Sequence, residues 1–219
     1  MATDQVRLGI IGLGAEGGMY ATFLSEGKVP NMTIGAIADI DESKRAAAEK
    51  LGVPFYTDYQ ELINSGDVDA VVTTVPHYLH PEMGIYALEH GIHTLVEKPV
   101  GVYTKQAREL IDVAAQHPEL TFGVFFNQRT NPLYKDLKAL LDSGELGALR
   151  HTSWIITNWW RPQPYYAQSS WRATWGGEAP FTALNQRARV LRRQVHRCLR
   201  RGILRHRRRG HQRQTGERV

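Results

Sequence analysis

The sequence predicts an α/β fold whose N-terminal part is a doubly wound parallel sheet. Three observations carry this. Apolar, β-branched runs alternate with helix-like stretches over the first 126 residues, a pattern that requires a parallel sheet covered by helices. The first run, Val6–Ile11, leads directly into Gly12-Leu13-Gly14-Ala15-Glu16-Gly17, a G-x-G-x-x-G set between a strand and a helix. Three further polar clusters fall at the C-terminal ends of later strands, where such sheets bind their ligands.

In order along the chain, Val6–Ile11 is the first strand, and the first helix runs from Gly14 to about Glu26. Each glycine between them has its own task. Gly12 allows the tight turn, Gly14 lets a pyrophosphate approach bare backbone, and Gly17 lets the helix pack close to the sheet. The phosphates would then meet the free N–H groups and positive dipole end of the helix. Met32–Asp39 is the second strand, and Asp39 stands 25 residues after Gly14, near the spacing at which a carboxylate accepts ribose hydroxyls. That favours NAD, since a 2′-phosphate would be repelled there. Lys44 and Arg45 are close enough to leave NADP open.

Asp41–Leu51 reads as a helix with acids in its first turn and Gly52 as its stop, and Asp58 with Glu61 caps a short helix to Asn64. Asp69–Val75 is a buried strand ended by Pro76, followed by a helix from Pro81 to His90. Ile92–Val96 is the next strand, with Glu97-Lys98-Pro99 at its end. A helix over Thr104–His117, a strand over Thr121–Phe126 and a helix from Pro132 to Ser143 follow, and Leu149–Ile156 reads as a strand opening a new region. The expected organisation is a Rossmann domain at 1–126, the start of a second domain at 127–186, and a tail at 187–219.

The composition is that of a soluble globular protein, 42% apolar, and no apolar run is long enough to span a bilayer. Met1–Ile10 lacks the basic-then-apolar pattern of a secretory signal, and the one cysteine, Cys198, allows no internal disulfide framework. A cytoplasmic location is the expectation. The net charge of +5 conceals two compositions. Residues 187–219 hold 13 of the 27 basic residues and one of the 22 acids, leaving 14 basic against 21 acidic residues in an acidic body.

Lys98 is the candidate catalytic residue. A lysine at a strand end, beside a nicotinamide, can hydrogen-bond a substrate hydroxyl and help take its proton, the more readily if partly buried. Glu97 would orient it or hold it charged, and a surface ion pair before a proline turn is the plain structural alternative. His77 and His80 flank the same edge. No Cys, third His or well-placed acid joins them, so no metal is expected, and one of the two would contact nicotinamide or substrate. Trp154–Trp175 holds five Trp and two Tyr. Trp160 and Trp171, with Arg161 and Arg172, suit the faces and hydroxyls of a sugar ring, while packing between domains or subunits is the alternative.

The glycine turn, VVTTVPHYLH, LVEKPV and NQRTNP together resemble the Gfo/Idh/MocA oxidoreductases, the glucose–fructose oxidoreductase and inositol dehydrogenase relatives, over roughly residues 5–178. The resemblance implies a second α/β domain with an open, mostly antiparallel sheet, through which intact relatives pair as homo-oligomers. It also implies hydride transfer between NAD(P) and a secondary alcohol of a sugar, inositol or related polyol. Lys98 then matches the lysine that contacts nicotinamide ribose and the reacting hydroxyl, and Pro99 fixes its turn. Pro76, His77 and His80 match the nicotinamide-side loop, and Arg129 lies where the second domain begins.

The pattern breaks after Glu178. Asn185-Gln186 stand at the right distance for an N-Q-x-x-H-x-x-D motif, but Arg189 occupies the histidine position and Arg192 the acid position. Two readings of the arginine-rich tail compete. One is a basic arm for phosphate-bearing partners, which lacks the lysines and interleaved aromatics of nucleic-acid binders. The other, which the abrupt Arg, Gly, His and Gln excess favours, is a truncated or frame-shifted copy. The expectation is a weakly active or inactive dehydrogenase with exposed apolar surface and a tendency to aggregate. The alternative is a non-catalytic dinucleotide-binding module serving as a sensor or partner subunit.

Overall fold

The computed structural model describes residues 5–148 and, beyond them, 150, 151, 153, 155, 162–167, 169–172 and 174–178. The chain forms two compact units, Met1–Pro162 and Gln163–Val219. The first holds a six-stranded sheet of β1 (Val6–Ile11), β2 (Met32–Ala38), β3 (Phe55–Tyr56), β4 (Ala70–Thr73), β5 (His93–Val96) and β6 (Phe122–Val124). Their spatial order is β3-β2-β1-β4-β5-β6, and every neighbouring pair is parallel. The chain starts at the centre, winds outward through β2 and β3, then returns to the other side of β1. The reversal leaves a crevice beyond the carboxyl ends of β1 and β4.

Strand periodicity divides the core between the two faces. Leu8, Ile10, Ile37 and Val72 point to one side, where Ala21 and Leu24 of α1 (Ala15–Ser25) and Ala48 of α2 (Arg45–Leu51) cover them. Ile11, Ala36, Ala38 and Val71 point to the other, against Leu62 and Ile63 of α3 (Tyr59–Asn64) and Met83 and Ala87 of α4 (His80–Glu89). Leu110 of α5 (Thr104–Gln116) joins Leu88 and Val96 in a third cluster. Leu62, Leu88 and Leu110 are fully buried, each worth about 2 kcal/mol relative to exposure. All four residues of β4 are buried, as a central parallel strand requires.

Boundaries differ from the sequence reading where local hydrogen bonding takes over. The helix expected over 41–51 is divided into a 3₁₀ turn, Glu42–Lys44, and α2, with Asp41 capping by accepting the Ser43 N–H at 3.0 Å. A second 3₁₀ turn, His77–Leu79, precedes α4, which starts one residue before Pro81. The last strand is trimmed because Phe126 N–H folds back onto the Val124 carbonyl at 2.8 Å. The two-residue β3 is too short to show a period and is not foreseen.

α6 (Pro132–Asp142) buries none of its residues, and Leu133, Leu137, Leu140 and Leu141 lie exposed. The strand expected at 149–156 falls largely outside the described residues, and Arg150, His151, Ser153 and Ile155 lie in irregular backbone. The second unit contributes α7 (Gln163–Ala167) and α8 (Trp175–Glu178). Among the described residues no helix is long and apolar enough to cross a membrane.

Candidate functional site

The glycine turn sits at the mouth of the crevice. Gly12 adopts φ +97, a region closed to most side chains, and a Cβ there would stand 2.8 Å from the Thr74 carbonyl oxygen. Thr74, just after β4, places its hydroxyl 3.0 Å from the Ile11 oxygen and 2.5 Å from the Gly12 oxygen, so it braces the turn from the neighbouring strand. A Cβ on Gly17 would collide with the Gly12 carbonyl and reach 2.7 Å from the same hydroxyl, so only glycine lets α1 sit this close. Gly14 differs. A Cβ there would meet nothing within 4 Å, and as N-cap of α1 it offers no side-chain acceptor to the first-turn N–H groups. Open space in front of uncapped amides is what a pyrophosphate needs.

Asp39 follows β2 beside this turn. One carboxylate oxygen accepts the Leu13 N–H at 2.6 Å and the other the Asp41 N–H at 2.9 Å. The acid is thereby fixed against the glycine turn, with lone pairs to spare for hydroxyl donors. Nearby, Arg45 is committed elsewhere, bonded to Glu42 at 2.6 Å with its guanidinium 4.8 Å above the Phe55 ring.

Past β4 and β5 the loops converge through His80 and Glu97. His80 is wholly buried, and its ring nitrogens lie 2.7 Å from the Pro99 oxygen and 3.0 Å from the Val75 oxygen. With the ring neutral, one of its nitrogens donates to one carbonyl and the other only lies against the second, so the ring is wedged between the Pro76 loop and the Glu97-Lys98-Pro99 turn with no surface left for a ligand. Burial, outweighing the two carbonyls, holds the ring below its ordinary pKa. The Lys98–Pro99 peptide is cis. His77 packs near His80, with ring centroids 5.7 Å apart.

Glu97 is also buried, at 6% exposure, and one of its oxygens accepts the Lys98 N–H at 3.0 Å. The same oxygen stands 3.6 Å from the Lys98 ammonium, while the lysine side chain is 52% exposed. The structure presents a half-exposed lysine tethered to a buried acid. The other Glu97 oxygen accepts a hydrogen bond from Tyr20 of α1. Tyr20, Thr74 and the Leu13 amide are absent from the sequence reading. The only signal for Tyr20 is its place one helical turn beyond Gly17, on the sheet-facing side.

Arg129 lies in the 3₁₀ turn Asn127–Thr130, its guanidinium 5.9 Å from the Phe126 ring. Trp160 and Arg161 fall outside the described residues. In the second unit, the Arg172 guanidinium lies 4.4 Å from the Tyr165 ring and 4.8 Å from the Trp171 ring, and it donates to the Tyr165 hydroxyl at 2.5 Å. Among the described residues no three His, Cys, Asp or Glu side chains are grouped to hold a metal.

A parallel sheet in this order, with a glycine turn after its first strand and an acid after its second, defines a Rossmann domain of the dinucleotide-binding class. Residues 6–126 match the GFO_IDH_MocA model, an oxidoreductase family with an NAD-binding Rossmann fold, and the chain belongs to that family. It is 33% identical over 147 residues to the uncharacterized oxidoreductase YrbE of Bacillus subtilis, covering 66% of this chain and 42% of that protein. It is 31% identical over 144 residues to an inositol 2-dehydrogenase/D-chiro-inositol 3-dehydrogenase of Lactiplantibacillus plantarum, covering 64% and 41%. Among solved structures, scyllo-inositol dehydrogenase from Lactobacillus casei with bound NAD(H) and scyllo-inositol matches with a TM-score of 0.62 at 30% identity, over 65% of this chain and 42% of that one. The chain thus spans less than half the length of these relatives.

Proposed function

We propose that this chain is an NAD-dependent oxidoreductase of the kind that transfers hydride between the nicotinamide and a secondary alcohol of an inositol, sugar or related polyol. The observation that carries the reading is the convergence of the Gly12–Gly17 turn, Asp39, the Pro76–His77 loop and Glu97-Lys98-Pro99 beyond one edge of the sheet. When bound, NAD supplies the hydride-accepting ring. Gly12, Gly14 and Gly17 with the α1 amides hold its pyrophosphate, and Asp39 takes the ribose hydroxyls. The commitment of Arg45 to Glu42 and Phe55 supports NAD over NADP. His80 and Pro99 set the loop on which Lys98 stands. The Lys98 ammonium, charged beside Glu97, hydrogen-bonds the reacting hydroxyl and stabilises the oxygen as its proton leaves. The inositol dehydrogenases among the relatives support the substrate class.

The proton acceptor is the weak point. Where the family pattern places a histidine and an acid, this chain has Arg189 and Arg192. Arginine stays protonated and accepts nothing. General acid–base groups contribute about 10²–10⁴ in rate, so turnover should fall by at least about 100-fold relative to an intact relative. Assay of NADH formation with myo-inositol, scyllo-inositol and glucose, alongside NADH binding, tests this. The expected result is binding with trace turnover. Robust oxidation would show that the proton acceptor is supplied elsewhere, and absence of both binding and turnover would reject the oxidoreductase reading.

A further inference from the structure

We propose that Tyr20 is a positioning residue for Lys98, acting through the buried carboxylate of Glu97, so that α1 connects the phosphate-binding turn to the reacting hydroxyl. This rests on the reading of Lys98 above. Tyr20 is fixed at both ends. Its ring packs on Phe125 with centroids 5.0 Å apart, and its hydroxyl donates to Glu97. Phe125 is itself tied to the sheet, its N–H bonded to the Val96 oxygen at 2.9 Å. Glu97 is largely buried, and its oxygens rest on Tyr20, the Lys98 N–H and the Lys98 ammonium. α1 begins at the glycine turn and carries Tyr20 within its second turn, so one rigid helix bears both groups.

Burial first, then the hydrogen bond and charge of Glu97, push the Tyr20 phenol well above its ordinary pKa, which keeps it a donor. Among the described residues, Glu97 and the buried His80 behind Pro99 face Lys98, and Glu97 and Glu16 of the first turn of α1 act on Tyr20. With the tyrosine hydroxyl removed, one oxygen of a buried carboxylate loses its donor. Its remaining mobile partner is the Lys98 ammonium. Lys98 is then drawn onto Glu97 and withdraws from the mouth of the site.

The test is competitive acetylation of Lys98 at one fixed pH, followed by peptide mass, on the cofactor-free chain and its variants. Tyr20→Phe keeps the ring against Phe125 and should slow Lys98 labelling about threefold or more, as the amine is drawn onto Glu97. Glu97→Gln should speed it, and Tyr20→Phe added to Glu97→Gln should change nothing further. An unchanged labelling rate in Tyr20→Phe, or the same slowing in both backgrounds, would overturn the proposal. So would a Tyr20→Phe chain that no longer folds, since the hydroxyl would then hold the fold and not the lysine. Failure of the wild-type chain to bind NADH would reject the cofactor reading and leave the labelling comparison intact.

Discussion

His80 shows how much one side chain can determine here. Its ring spans two loops that are 24 residues apart in sequence, at the Val75 and Pro99 carbonyls, and it is fully buried. With the folded value held below the ordinary 6.5, the unfolded chain takes up the proton first as pH falls. The ring's contribution is therefore complete above about pH 6.5 and is lost as acid titrates through the folded value. Denaturant unfolding between pH 7 and 5 should show stability falling with acid, by up to about 1.4 kcal/mol per pH unit from this group. A His80→Gln variant should show a flatter dependence, whatever its absolute stability. An identical slope in the variant would place the acid sensitivity elsewhere.

α1 and the glycine turn carry the logic at the scale of an element. Gly17→Ala drives a methyl into the Gly12 carbonyl and the Thr74 hydroxyl, and should cost about 2 kcal/mol or more. Gly18→Ala, one residue on, meets nothing within 4 Å and should stabilise the helix by about 0.5–1 kcal/mol. Thermal unfolding of the two variants should move in opposite directions. A Gly17→Ala chain as stable as wild type or more so would mean that Gly17 is not at a close contact.

Such elements are legible in the sequence because their causes are local. A strand, a glycine turn and a helix lie within about twenty residues, and Asp58 announces the cap that it makes to Gln60. The Tyr20–Glu97 bond is different. Its partners are 77 residues apart, and nothing in either neighbourhood names the other. His80 was legible as a residue of the site edge, and its turn inward to two backbone carbonyls was not.

The whole molecule is ordered by where its sheet reverses. β1 and β4 are adjacent although two strands intervene in the chain, and the loops that follow them face one crevice. The sequence shows this order only through the alternation of strands and helices. The strand order itself is a tertiary fact, set by which apolar faces the helices can cover. Beyond β6 the pattern weakens, and α6 leaves its leucines uncovered among the described residues.

The most direct test is calorimetric titration of the chain with NAD, comparing wild type with Gly14→Val. A Cβ at this position meets nothing within 4 Å, so the variant should keep its fold by circular dichroism, with about 1 kcal/mol lost to an apolar N-cap. Saturable one-to-one binding by the wild type, lost in the folded variant, is the predicted result. A folded wild type that binds no NAD, or equal binding by both chains, would contradict a cofactor site at this edge of the sheet.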